Sequence, residues 1–178
     1  MKINAVTVFC GSKPGNDALF VNEAKALGMQ LAQKGIELVY GGGNKGIMGA
    51  VANACLDAGG KVVGIIPQLL LEWEAQHDGL TELIVTESMH ARKLLLYDKC
   101  DVAIVLPGGM GTLDELFEML TWNNLKIHTK KVYILNANGY YDALIQLLDT
   151  MDLQGFMYDQ WRDRLIVCAN VSEITDAF

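Results

Sequence analysis

Two short stretches hold the residue types that could do chemistry. In "PGGMGTLDE" (107–115) a proline closes an apolar run, three glycines follow, and Glu115 projects from the start of a helical segment. Glycines without Cβ atoms let backbone N–H groups approach an anion, and the helix start adds its own donors and positive dipole end. Thr112 and Glu115 also match the capping-box pattern, which would make the acid a structural cap. A carboxylate beside a bound anion is costly, however, unless that carboxylate has a task. In "SMHARK" (88–93) Ser88 reads as an N-cap, so Arg92 and Lys93 fall near the positive end of their helix. Cations there are disfavoured by a few tenths of a kcal/mol unless an anion is present. The pair therefore reads as anion-binding rather than as two solvated charges, and His90 as a surface or capping residue.

The elements that must position these stretches alternate along the chain. Apolar, β-branched runs at 5–10, 36–40, 61–66, 81–86, 101–106, 131–135 and 164–168 predict strands. Segments of helical period lie at 16–34, 46–58, 88–99, 112–124, 140–151 and from about 172. Several strands are apolar on successive residues, the mark of a sheet covered on both faces. The pattern predicts a single α/β domain over 1–178, doubly wound and Rossmann-like, with a mostly parallel sheet of about seven strands. The connection 67–80 is the longest irregular one and has room for a short helix.

In such a fold ligands bind outside the carboxyl ends of the strands. Three glycine-rich turns are predicted there: "CGSKPG" (10–15), "GGGNKGIMG" (41–49) and "PGGMGT" (107–112). Together they suggest backbone N–H groups surrounding a phosphate-bearing ligand. "GGGNKG" matches the dinucleotide fingerprint formally. It follows the second strand, though, and the acid that would hold a ribose after the next strand is replaced by Ile66, Pro67 and Gln68. A Walker phosphate loop is excluded, since no GxxxxGK[ST] occurs.

Composition narrows the partners. A chain of 178 residues, 51% hydrophobic and with 18 glycines, suits one buried-sheet core rather than disorder. The net charge of −7 gives no basic footprint for nucleic acid or an anionic membrane. An anionic ligand must then be held by a local cluster. Cys10, Cys55, Cys100 and Cys168 are far apart in apolar surroundings and form no CxxC pair, so they read as reduced core thiols of a cytoplasmic protein. No His/Asp/Glu cluster has metal-ligand spacing, and neither metal nor cofactor is expected. The N-terminus enters a strand pattern directly, with no signal peptide or membrane span.

The motifs resemble the Lonely Guy (LOG) family of cytokinin riboside 5'-monophosphate phosphoribohydrolases. "PGGMGTLDE" is similar to the family's PGGxGTxxE signature and "SMHARK" to its MHxRK element; "VFCGS" and "LVYGGGNKGIMG" are similar to its other glycine turns. The resemblance spans roughly residues 5 to 150 and implies hydrolysis of the N-glycosidic bond of a nucleoside 5'-monophosphate to free base and ribose 5-phosphate. It implies Arg92 and Glu115 as the catalytic pair, and Gly109, Met110, Gly111 and Thr112 as the phosphate cradle. Gly108, Leu113 and Asp114 flank that cradle. Lys93, Thr121 and Glu74 are implied as further ligand contacts, with Ser12, Gly42 and Gly43 from the other turns and Met89 beside the base. Similar sequences have carried the label lysine decarboxylase, but no pyridoxal-type lysine pattern is present, and Lys93 belongs to the basic motif.

The segment 112–124 has Leu113, Leu116, Phe117 and Leu120 at core spacing while Met119 and Trp122 punctuate its other side. A helix apolar on more than one face predicts a homodimer through it and its neighbour, which the resemblance also implies. Two other functions compete: a non-catalytic nucleotide or cofactor carrier on the same fold, opposed by Glu115 and Arg92, and an NAD(P)-dependent oxidoreductase, opposed by the missing ribose-binding acid.

Overall fold

The structure, a computed structural model, describes residues 2–71 and 76–178. Seven strands form one sheet: β1 (Ala5–Phe9), β2 (Glu37–Tyr40), β3 (Val62–Pro67), β4 (Glu82–Thr86), β5 (Val102–Val105), β6 (Val132–Leu135) and β7 (Leu165–Cys168). Their spatial order is β4-β3-β2-β1-β5-β6-β7, and every pairing is parallel, so the expected mostly parallel sheet is parallel throughout. The connecting helices are α1 (Ala18–Gln33), α2 (Gly46–Asp57), α3 (Gln68–Leu71), α4 (Met89–Asp98), α5 (Met110–Asn124), α6 (Asp142–Leu153) and α7 (Val171–Thr175). The short helix anticipated within 67–80 is α3.

The inner strands read as largely apolar runs because they feed two cores. Along β1 and just beyond it, Val6, Val8 and Cys10 pack with α1, α2 and α7, while Phe9 faces the opposite layer of α4, α5 and α6. On β5, Val102 and Ile104 join the first core and Ala103 and Val105 the second. The two-residue period of a strand survives, but both phases are apolar. All four cysteines are buried and unpaired, as core thiols should be. No helix among the described residues is long and apolar enough to cross a membrane.

The chain runs outward from β1 to β4, then returns to β5 on the other side of β1. Their carboxyl ends therefore diverge at a topological switch point, where an open sheet leaves a crevice. The β1–α1 and β5–α5 loops border that crevice, tied together by the Gly11 N–H donating to the Pro107 carbonyl at 3.1 Å.

Candidate active site

At the switch point lies a cleft of about 520 Å³. Its floor and walls come from the β1–α1 loop (10–15), the start of α2, the first turn of α4, and the β5–α5 loop with the beginning of α5. Ser12, Met89, Arg92, Gly108, Gly109, Met110, Gly111, Thr112 and Glu115, all singled out in the sequence, line it. A larger hollow of about 790 Å³ lies between the end of α5 and the 157–164 segment, and it holds none of those residues.

Glu115 and Arg92 meet in this cleft. Arg92 stands on the first turn of α4, which Ser88 caps by accepting from the Ala91 N–H at 3.2 Å. Its Nε donates to the Ile65 carbonyl at 3.0 Å, anchoring the guanidinium across the end of β3. Nη1 then lies 3.6 Å from Glu115 Oε1, with the residues only 6% and 7% exposed. Room for the guanidinium comes from Gly41, where a Cβ would stand 2.4 Å from Nη2. Burial and the nearby Glu115 carboxylate push the Cys10 thiol far above its ordinary range, against a smaller opposing pull from Arg92. Cys10 is thus a neutral wall of the cleft, not a thiolate nucleophile.

Thr112 is not the N-cap that the capping-box pattern would make it. Helix α5 begins at Met110, two residues earlier than expected, with Gly109 as an N-cap that offers no side chain. A helix begun at a bare glycine leaves its first-turn N–H groups without intrahelical acceptors. Those donors and the dipole end face the cleft at 109–112, while Glu115 is carried into the second turn. The glycines divide the labour. A Cβ on Gly108 would stand 2.1 Å from Thr112 Oγ1 and 2.8 Å from the Gly11 nitrogen, so Gly108 is required for packing. Gly109 and Gly111 have open space where a Cβ would go, so protein packing does not explain them.

In the second turn the helix start and the last two of the three successive glycines serve the scaffold. The Ile47 and Met48 N–H groups at the start of α2 both donate to the Gly11 carbonyl, at 3.1 and 3.2 Å. Gly42 and Gly43 are buried away from the cleft, their carbonyls taken by the His77 N–H and the Tyr40 hydroxyl. All three turns expected to surround a ligand contribute to the cleft, the second through Ile47 and Met48 rather than through its glycines.

Other sites expected from the sequence lie elsewhere. Lys93 points away from the cleft and pairs with Glu118 at 2.8 Å and Asp114 at 3.2 Å. Burial opposes its charge, but these hydrogen bonds outweigh it and hold the ammonium pKa above its ordinary value. Leu113 and Asp114 do not line the cleft, and Thr121 sits on another side of α5, with its hydroxyl donating to the Phe117 carbonyl at 2.7 Å. Glu74 lies outside the described residues. Met119, expected on an outer face of α5, is fully buried against the sheet, and Trp122 packs edge-on to Tyr97 at 4.9 Å.

Sequence reasoning missed Lys13, Phe20, Leu70 and Tyr140, which also line the cleft. The lysine in "CGSKPG" was a readable signal; the two aromatic residues are brought in only by tertiary packing. Arg92 and Glu115 offset one another, so among the described lining residues Lys13 supplies the uncompensated charge. Among the described residues no group of three or more His, Cys, Asp or Glu side chains could hold a metal ion.

These features define a Rossmann-like α/β protein with an anion-ready helix N-terminus and a buried acid–guanidinium pair at its switch point. A family model described as "Possible lysine decarboxylase" matches residues 48–178. A cytokinin riboside 5'-monophosphate phosphoribohydrolase of Rhodococcoides fascians is 45% identical over 94% of this chain and 85% of its own. A counterpart from Arabidopsis thaliana is 42% identical over 94% and 78%. Among solved structures, a structural-genomics target, TM1055, superposes with a TM-score of 0.76 and 27% identity over 98% of this chain and 97% of that one. The molybdenum cofactor carrier protein of Chlamydomonas reinhardtii shares the fold, with a TM-score of 0.74 and 23% identity over 99% and 96%. The chain belongs to the LOG family of cytokinin riboside 5'-monophosphate phosphoribohydrolases.

Proposed function

We propose that this protein hydrolyses the N-glycosidic bond of a nucleoside 5'-monophosphate, releasing free base and ribose 5-phosphate. The observation that carries the reading is the buried Arg92–Glu115 pair beside the open N-terminus of α5 in one cleft. The phosphate sits at 109–112, where first-turn N–H groups and the helix dipole receive it. Binding energy from this remote group places the sugar against the pair. As the C1'–N bond breaks, positive charge builds on the sugar; the Glu115 carboxylate stabilises it and orients or deprotonates the attacking water. Water adds its oxygen to C1', and the base leaves with the electron pair of the broken bond and gains a proton. Arg92 holds the nucleotide or the departing base. The names of the relatives point to a cytokinin base, and a panel of nucleoside monophosphates that includes isopentenyladenosine monophosphate, assayed for base release, tests this.

Decarboxylation of lysine finds no support in the cleft. Lys93 is engaged by two carboxylates outside it, and Lys13 sits on an exposed loop. A carrier role draws on the shared fold with the molybdenum cofactor carrier protein, but binding alone has no use for a buried Glu115.

The proposed assembly is a cytoplasmic homodimer through α5 and its neighbour α4. Its support is the half-buried Leu113, Phe117 and Leu120 of α5 and the 47%-exposed Leu94 of α4; Met119 no longer contributes. A stable monomer by light scattering at micromolar concentration contradicts it.

A further inference from the structure

The loop that begins α5 is glycine-rich and sterically open at Gly109, yet its carbonyls are individually fastened. Three consecutive ones are captured. The Leu106 carbonyl accepts from the Tyr141 hydroxyl at 2.8 Å, the Pro107 carbonyl from the Gly11 N–H at 3.1 Å, and the Gly108 carbonyl from the Tyr140 hydroxyl at 2.7 Å. Both phenols come from one turn, 136–142, which is itself braced. The Asn136 side chain accepts from the Tyr141 N–H at 2.7 Å and donates to Asp142 at 2.7 Å, and Asn138 reaches Asp17 at 3.1 Å. Tyr140 packs edge-on against Phe20 and Tyr141, with ring centroids 5.3 and 4.8 Å apart, and lines the cleft.

In a trans peptide the C=O and the next N–H point in opposite senses. Holding the Gly108 carbonyl on Tyr140 therefore sets the direction of the Gly109 N–H, the donor at the N-cap of α5. Flanked by two glycines, and with open space at Gly109, that peptide unit has little steric resistance to turning over. The phenol supplies the restraint that side chains would otherwise give.

We propose that Tyr140 is a positioning residue for phosphate binding: its hydroxyl locks the Gly108–Gly109 peptide so that the N-terminus of α5 is preorganised for the anion. This rests on the hydrolase reading for the identity of the ligand, ribose 5-phosphate, but not on turnover. Tyr140 is 44% exposed, and Tyr140→Phe keeps its ring contacts, so the variant folds. In ligand-free Tyr140→Phe the Gly109 and Gly111 amide resonances shift or broaden relative to wild type. Its calorimetric Kd for ribose 5-phosphate rises about five- to tenfold, the effect of one lost hydrogen bond, whereas the Kd for adenosine, which has no phosphate, stays within about twofold. Unmoved ligand-free amide signals overturn the proposal even if affinity falls, because the phenol would then act by direct contact. Unchanged affinity for ribose 5-phosphate overturns it too, as does a wild-type protein that does not bind this ligand. A wild-type protein that binds ribose 5-phosphate yet releases no base contradicts the hydrolase reading alone.

Discussion

Arg92 Nη1 lies 3.6 Å from Glu115 Oε1, across two helices whose N-termini open on one cleft. The two charges are mutually dependent in so dry a place. Removing the guanidinium takes the cation away from a buried carboxylate, a change that typically costs about 3 to 5 kcal/mol. Arg92→Ala is expected to lower base release at least about 100-fold and to lower the melting temperature by several degrees while the protein remains folded. Paired activity and thermal-unfolding measurements check this, and near-normal turnover removes Arg92 from the mechanism.

The glycines of the β5–α5 loop should separate by function. Gly108→Ala forces a methyl group onto Thr112 Oγ1 and the Gly11 nitrogen, so stability falls. Gly111→Ala meets open space inside the first turn of α5, where alanine favours the helix by up to about 1 kcal/mol over glycine. Its melting temperature is expected to hold or rise while its affinity for ribose 5-phosphate falls. Loss of stability without loss of affinity would show that Gly111 serves the fold.

Lys13 should act through charge alone. With Arg92 and Glu115 offsetting each other, its ammonium is the remaining counter-charge for a dianionic phosphate in the cleft of a protein whose net charge is −7. Lys13→Gln is expected to weaken AMP binding about two- to fivefold at low ionic strength, and the difference should shrink at about 0.5 M salt as screening takes over. Adenosine binding should not change. Calorimetry at two salt concentrations decides it.

A pH effect on stability should trace to His128. Its Nδ1 accepts from the Lys130 N–H at 3.3 Å, so the proton of the neutral ring resides on Nε2, which is buried and has no partner. Burial, then the charges of Lys130 and Arg164, lower its pKa below the ordinary value of 6.5. The unfolded chain therefore takes up this proton first, and stability falls as pH drops from about 6.5 toward the lower folded value. His128→Phe should flatten the dependence of the melting temperature between about pH 7 and pH 5. An unaltered slope assigns the effect to other groups.

Much of the scaffold was legible because two-sided burial writes itself into a strand. "AVTVF", but for Thr7, and "VAIVL" are apolar on successive residues, since Val8 and Phe9, or Ile104 and Val105, face different cores. The helix start at 110 was misread because Thr-x-x-Glu is a local pattern, whereas the N-cap is set by Gly109, whose bare backbone leaves no side-chain signature. The glycines of "GGGNKG" looked like an anion cradle, yet the N–H groups of Ile47 and Met48 at the helix start satisfy the Gly11 carbonyl from another loop, a contact between distant segments, and the turn reaches the cleft through these two residues instead. Tyr140 was invisible for the same reason: its hydroxyl acts on a carbonyl 32 residues away. Lys93 shows the converse, a basic residue in a family motif whose partners on α5 become visible only once α4 and α5 are packed.

The central claim is most directly tested by incubating wild-type and Glu115→Gln protein with AMP and isopentenyladenosine monophosphate and quantifying free base. The account predicts equimolar base and ribose 5-phosphate from wild type. It predicts release at least about 100-fold slower from Glu115→Gln, which still binds ribose 5-phosphate. No base from wild type with any nucleoside monophosphate, or wild-type rates from Glu115→Gln, would contradict it.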